Sequence, residues 1–327
     1  MENVQYMETG STDPGFNLAF EEYVLTHYTH GNILILWQND NAVIVGRNQN
    51  TAEEVDQNFV DAHGIRVIRR NTGGGAVYHD LGNLNYSFIT DIGATRDAFS
   101  QPVVRALQEL GLDAAVSGRN DILVSGCKVS GTAQQFLKGR VLHHGTLLFD
   151  SNAEMLCGAL TPDPEKFQSK SVKSVRSRVG NIRSFLSKDM DLASFWAHLK
   201  TCLTQTGGVD IVLSPEELKA VRQLKADKYD TWQWNYGKSP AYNTRVKRRF
   251  PGGTLDVRMT ITRGVITQIH FYGDFLSVSP VHLLEERLTG CEYRKDAMEK
   301  ALESAPVNEC LGGITKEECI RTILGNE

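Results

Sequence analysis

Two stretches of this 327-residue chain carry residue types at spacings that suit work on an anion. The first reads Arg69-Arg70-Asn71-Thr72-Gly73-Gly74-Gly75-Ala76-Val77-Tyr78-His79-Asp80. Three consecutive glycines strip a strand-to-loop turn of side chains, permit positive φ and let a ligand approach the backbone amides. Flanking arginines add charge where amide dipoles already favour an anion. A carboxylate or phosphate suits such a loop, although three glycines alone would equally make a flexible hairpin turn. The segment is neither a Walker loop nor a dinucleotide fingerprint, because both glycine spacings are absent. The second stretch, Gly126-Cys127-Lys128-Val129-Ser130-Gly131-Thr132-Ala133, sets one lysine among small residues. Most strand lysines simply face water, but small neighbours point to close ligand approach. An ammonium held about 4 Å from developing negative charge is worth very roughly 4 kcal/mol at an effective dielectric near 20. Lys128 is therefore the first candidate, acting by charge rather than as a nucleophile.

Those residues need a scaffold. Phe16, Phe20, Val24 and His27 recur at helical spacing and predict a helix over residues 17–29. Strands are predicted over residues 32–37, 42–47, 65–70 and 83–90, and Gln38-Asn39-Asp40-Asn41 has the composition of a hairpin turn between the first two. A helix is expected after Ser100, with Pro102 in its first turn and Val103, Val104, Leu107 and Leu110 buried. Residues 121–129 and 141–149 are further strand candidates. On a strand, His143 and His144 point to opposite faces, so they do not share one metal ion; one is expected to face a pocket, the other solvent or a second layer of contacts. Residues 166–188 are basic and serine-rich with no acid among them, which reads as a loop.

Farther on, Leu192, Phe195, Trp196, Leu199 and Leu203 form an apolar helical face, and Ser214-Pro215-Glu216-Glu217 is a capping box. Gly, Pro, Asn and Ser gather near residues 237–249, the composition of a boundary. Leu255, Val257, Met259 and Ile261 then alternate with polar residues, as do Val265, Ile269 and Phe271 after the turn at Arg263-Gly264, giving a hairpin buried on one face. Ser279-Pro280 and Thr315-Lys316-Glu317-Glu318 are helix starts.

Bulk properties exclude several classes. Apolar residues make up 41% and charged residues 23%, ordinary for a chain with a substantial core. A net charge of −4 argues against a general nucleic-acid binder. The six cysteines show no Cys-x-x-Cys pair, which reads as reduced thiols in a cytoplasmic protein. No signal peptide is visible, and no stretch approaches the roughly 20 apolar residues of a membrane span.

Three further motifs join the two stretches. They are Gly118-Arg119-Asn120-Asp121-Ile122, His143-His144-Gly145-Thr146-Leu147-Leu148 and Ser174-Val175-Arg176-Ser177-Arg178-Val179, with Leu81-Gly82-Asn83-Leu84-Asn85 continuing the first stretch. Their order and spacing resemble the lipoate–protein ligase family over essentially the whole chain. The resemblance implies an α+β fold: a mixed β-sheet with flanking helices, like that of biotin and lipoate–protein ligases, plus a small α+β accessory domain. It implies a catalytic lipoate- and ATP-binding domain over residues 1–245 and an accessory domain over 246–327. It implies a two-step reaction, in which lipoate and ATP give lipoyl-AMP and pyrophosphate and the lipoyl group then passes to a lysine of a carrier. By carry-over, Arg70, Gly75, Ala76, Val77, Tyr78, Asn83, Lys128 and Arg176 would bind ATP. Gly74, Gly75, His79, His144, Trp37 and Lys128 would bind lipoate, with Leu18 and Val77 as further walls, and Asp121 would hold Mg²⁺. The basic segment would close over the adenylate, which hydrolyses readily.

Expected partners are lipoate and lipoyl-domain carriers: the acyltransferase subunits of 2-oxoacid dehydrogenases or the glycine cleavage carrier. No nucleic acid or membrane is expected, and the enzyme is expected to be a monomer. Two alternatives suit the same residues. One is an octanoyl or lipoyl transferase of the same fold, working without ATP through a cysteine thioester, with Cys127 as nucleophile. The other is a non-catalytic or regulatory relative of the biotin ligases.

Overall fold

Residues 32–37 read Asn-Ile-Leu-Ile-Leu-Trp, and 33–37 are an unbroken apolar run of the kind covered on both faces. They form the second strand of a mixed eight-stranded sheet in the computed structural model, which describes residues 4–93, 96–118, 120–160, 179–205, 208–236 and 242–325. Its strands are β1 (Val4–Glu8), β2 (Asn32–Trp37), β6 (Asn83–Asp91), β7 (Ala114–Ser117), β8 (Asp121–Val124), β9 (Cys127–Leu137), β10 (Arg140–Leu148) and β11 (Val209–Asp210). Their order is β11-β1-β2-β6-β10-β9-β8-β7. β11, β1 and β2 run parallel, and the pairings from β2 to β7 are antiparallel.

Alternation along the central strands sorts side chains to two faces. Leu34, Leu36, Tyr86 and Phe88 face one core, closed by the helices Arg96–Glu109 and Leu192–Thr204. Ile33, Ile35, Trp37 and Ile89 face the other, covered by helix α1 (Pro14–His27). Against this second face lies a small sheet of order β4-β3-β5, from β3 (Ala42–Val45), β4 (Arg66–Arg69) and β5 (Val77–His79).

Several expectations change here. α1 starts at Pro14, three residues early, because Asp13 caps it and Pro14 occupies the first turn. β2 and β3 do not form a hairpin: the chain leaves one sheet at Gln38 and enters the other at Ala42. The predicted strand 121–129 is two strands, reversed at Ser125 and Gly126, whose φ values of 49° and 81° suit a tight hairpin turn. The helix expected after Ser100 already runs from Arg96, with Pro102 inside it. The basic segment falls mostly outside the described residues; within it, residues 182–185 form a 3-10 turn.

The C-terminal part is a small domain. β12 (Thr244–Phe250), β13 (Gly253–Thr262) and β14 (Val265–Gly273) form a three-stranded antiparallel sheet, with helices from His282 to Ile323 over its apolar face. The hairpin at Arg263-Gly264 and the helix start at Thr315 stand as expected, the latter closed by a capping box with Glu318.

Arg69 ties the small sheet to its surroundings without any acidic partner among the described residues. It is 1% exposed. Its guanidinium donates to the carbonyls of Gly46, Arg47, Gln49, Trp234 and Asn235 and to the Thr51 hydroxyl. Burial pushes its pKa down to about 10, so it stays cationic at neutral pH. Arg69→Met strands these acceptors, each costing about 1–3 kcal/mol where water cannot replace the donor. The expected loss is about 3 kcal/mol or more, read from urea unfolding; an unchanged midpoint would contradict this role.

Candidate active site

The cleft opens on the α1 face of the large sheet, between that face and the glycine loop. Counting its mouth it encloses about 660 Å³, the size of a small-molecule site. Strand register explains its floor. Ser87 on β6 stands between Ile35 of β2 and His144 of β10. Side chains two apart share a face, so Trp37, Asn85, His144 and Thr146 all point into the cleft. Leu18 and Ile44 add apolar wall, and Gly74, Gly75, Ala76, Val77 and His79 form the opposing rim. Lys128 enters from β9, next to Gly131.

Lys128 does not stand alone. Its Nζ lies 2.7 Å from Asp121 Oδ1 across the β8–β9 hairpin, with both side chains about a third exposed. Asp121, the candidate metal ligand, is thus the counter-ion of Lys128. A divalent ion on that carboxylate would sit beside an ammonium, so the donor set is a poor fit for a resident Mg²⁺. Among the described residues, the only group of three or more such side chains with their ligand atoms close together is Glu109, His198 and Cys202, on the helices of the other core.

Arg70 holds the glycine loop from behind. Its guanidinium donates to the carbonyls of Ile44, Gly73 and Gly75 and to the Thr72 hydroxyl. It is buried, with its pKa pushed down to about 10 by that burial. Thr72 Oγ1 lies 2.8 Å from His144 Nε2, and His144 Nδ1 lies 2.9 Å from Glu21 Oε1. Glu21 also accepts from Ser87, which accepts from the Trp37 indole. One buried chain of hydrogen bonds therefore runs from the cleft floor to the loop.

The accessory domain completes the loop's surroundings. Gly74 donates its amide to the Phe275 carbonyl at 3.3 Å. Asn48 donates to Ser277, and Gly273 donates to the Asn48 carbonyl. Glu53 is gripped by Arg258 at 2.6 Å and Arg245 at 3.0 Å. A Cβ on Gly73 would fall 2.6 Å from the Phe275 carbonyl oxygen, so only glycine lets the two domains meet this closely.

Of the residues singled out in the sequence, Trp37, Arg70, Gly74, Gly75, Ala76, Val77, His79, Lys128 and His144 line this cleft. Tyr78 does not: its ring packs with Val43 and Val45 on the other face of the small sheet, and its hydroxyl donates to Asn41. Asn83 is buried beside the floor and donates to Asn85, which lines the cleft in its place. Arg176 lies outside the described residues. His143 faces neither pocket nor solvent; it is fully buried and stacked on Phe99 at 4.8 Å. Cys127 is not among the lining residues, since it neighbours Lys128 on a strand and faces Gly180 instead. Glu21, Ser87, Gly46 and Asn39 escaped sequence reading, although a glutamate on the apolar face of a predicted helix was a usable signal.

Comparison with known proteins gives the family. Residues 13–204 match the lipoyl protein ligase A/B catalytic domain, and residues 239–323 match the bacterial lipoate protein ligase C-terminus. The chain is 41% identical to lipoate-protein ligase LplJ of Bacillus subtilis over 95% of its own length and 97% of that protein's. It is 42% identical to lipoate–protein ligase 1 of Staphylococcus aureus, covering 95% and 96% of the two chains. Among solved structures, P. falciparum LipL1 in complex with lipoate superposes with a TM-score of 0.81 at 25% identity, covering 99% of this chain and 100% of that one. A lipoate-protein ligase A bound with ATP gives 0.61 at 30% identity, covering 72% and 99%. The chain belongs to the lipoate–protein ligase family.

Proposed function

We propose that this cleft joins lipoate to ATP, and that the lipoyl-adenylate then acylates a lysine of a lipoyl domain. The observation that carries this reading is convergence: Lys128, the glycine loop and the apolar wall of Leu18, Trp37 and Ile44 meet in one cleft. In the first step a carboxylate oxygen of lipoate attacks the α-phosphorus of ATP. A phosphorus–oxygen bond forms, the bond to the β-phosphate oxygen breaks, and pyrophosphate leaves. The Lys128 ammonium is placed to offset the charge that gathers between the two reactants. The amides of Gly75, Ala76 and Val77 are assigned to the nucleotide, and Tyr78 contributes through its backbone alone. Arg70 fixes the loop's shape and adds a positive field. In the second step the carrier lysine, as free amine, attacks the acyl carbonyl; a C–N bond forms, the acyl C–O bond to phosphate breaks, AMP leaves with the bonding pair and the amine gives up a proton to solvent.

Magnesium, in this reading, arrives on the triphosphate as part of the substrate, because Asp121 is engaged by Lys128. A lipoyl-domain carrier is proposed as acceptor; the Thermoplasma acidophilum ligase, described with its E2 lipoyl domain, is 31% identical, with a TM-score of 0.65, covering 75% of this chain and all of that one. We place catalysis in residues 1–245 with residues 246–327 as accessory domain, and take the enzyme to be a cytoplasmic monomer. No helix among the described residues is long and apolar enough to cross a membrane, and the six cysteines are free thiols. The cysteine-thioester alternative loses its nucleophile, since Cys127 does not line the cleft. Mixing the protein with lipoate and ATP is expected to release pyrophosphate only when both are present. Lack of release, together with acyl exchange from a preloaded carrier, would favour the transferase instead.

A further inference from the structure

His79 lines the cleft, yet its Nε2 is buried and has no hydrogen-bond partner in the protein among the described residues. What that nitrogen can do depends on which ring nitrogen carries the proton, and three side chains in series decide this. Asn17, on α1, is fully buried, and its Nδ2 lies 3.0 Å from the Ser11 carbonyl and 2.7 Å from the Gln38 carbonyl. Carbonyl oxygens only accept, so the amide nitrogen of Asn17 must face them. That same nitrogen lies 2.9 Å from Asn39 Oδ1. Asn39 therefore turns its oxygen to Asn17 and its own nitrogen to His79 Nδ1, 3.0 Å away. An amide nitrogen only donates, so Nδ1 must accept, and the ring proton resides on Nε2.

We propose that Asn39, itself oriented by Asn17, is a positioning residue that locks His79 as a neutral Nε2–H donor to an oxygen of the bound acyl group. The inference rests on the reading of the cleft as a lipoate-activating site. A neutral donor suits both stages, because it can serve a carboxylate before activation and a carbonyl afterwards without changing its own charge. The charged and titratable groups packed around the ring agree with that state. Arg70, just past β4, opposes a second positive charge, as does His144 from β10, whose Nδ1 is taken by Glu21. Burial is the largest influence, and the imidazole is pushed down to about 3.

Asn39→Asp reverses the logic while keeping the shape and the contact with Asn17. A carboxylate demands a proton on Nδ1, so Nε2 carries one only when the ring is charged. The wild-type enzyme is expected to show no His79 titration by ¹⁵N-edited NMR between about pH 5.5 and 8, with the proton on Nε2. Asn39→Asp is expected to lose pyrophosphate-release kcat/KM for lipoate as pH rises from about 6 to 8, by about tenfold relative to wild type, the scale of one hydrogen bond. His79→Leu is expected to lose at least about tenfold at every pH, and His79→Gln, which keeps an N–H donor at the same reach, to recover most of it. A protonated Nδ1 in the wild-type spectrum would overturn the proposal. So would an Asn39→Asp profile parallel to wild type, or equal rates for the Leu and Gln variants. If wild-type protein releases no pyrophosphate at all, the functional reading fails, and the NMR tautomer still tests the lock.

Discussion

Lys128→Met is expected to slow lipoate-dependent pyrophosphate release by about 10²-fold or more, the scale of removing one preorganised donor from developing charge. The turn at Ser125 and Gly126 brings β8 back against β9, so Lys128 and Asp121 lie 2.7 Å apart beside the cleft. Asp121 thereby restricts a side chain that would otherwise sample many rotamers. Because the pair is about a third exposed, it contributes only about 0–1 kcal/mol to folding. The thermal midpoint should therefore hardly move, which separates loss of chemistry from loss of fold. A rate within threefold of wild type would remove Lys128 from the adenylation step.

The second large effect belongs to a glycine outside the conspicuous run. A Cβ on Gly46 would lie 2.0 Å from the carbonyl oxygen of Gly74, a backbone atom that a side-chain shift cannot move aside. Gly46→Ala must therefore push the glycine loop out of place. Overpacking of this kind costs about 1–3 kcal/mol, and a reacting group misplaced by about 1 Å can cost about 10²-fold in rate. Gly75→Ala is the control, since nothing lies within 4 Å of its added Cβ. It should keep the wild-type midpoint and raise KM, because the methyl group enters ligand space. Equal melting behaviour and equal rates for the two variants would contradict this account of the loop.

The contrast between Gly46 and Gly75 also shows where sequence reading stops. Strands β2 and β6 were legible nearly to the residue, because buried strands leave apolar runs that no other element explains so simply. Lys128 and the glycine run stood out because small residues and charge side by side are rare without a ligand. Partnership was not legible. The guanidinium of Arg70 looked free for phosphate, yet the Ile44 carbonyl of β3 and the Thr72, Gly73 and Gly75 oxygens of its own loop take most of its donors. His144 and Glu21 are 123 residues apart in sequence, and nothing local announces their contact. Gln38-Asn39-Asp40-Asn41 misled for a related reason. Its turn composition is real, but Asn39 serves His79, and the chain crosses between sheets instead of doubling back. Ser125-Gly126 was passed over because it sits inside a β-rich run, where its turn signal is easily absorbed into one long strand.

The central claim is that one cleft spends ATP to place a lipoyl group on a protein lysine. It is tested most directly by the intact mass of a purified lipoyl domain after incubation with the enzyme and lipoate, with and without ATP. The expected result is a mass gain of one lipoyl group on the domain lysine only when ATP is present, together with AMP in the supernatant. Acylation of the same domain without ATP, from a preloaded acyl carrier, would contradict it.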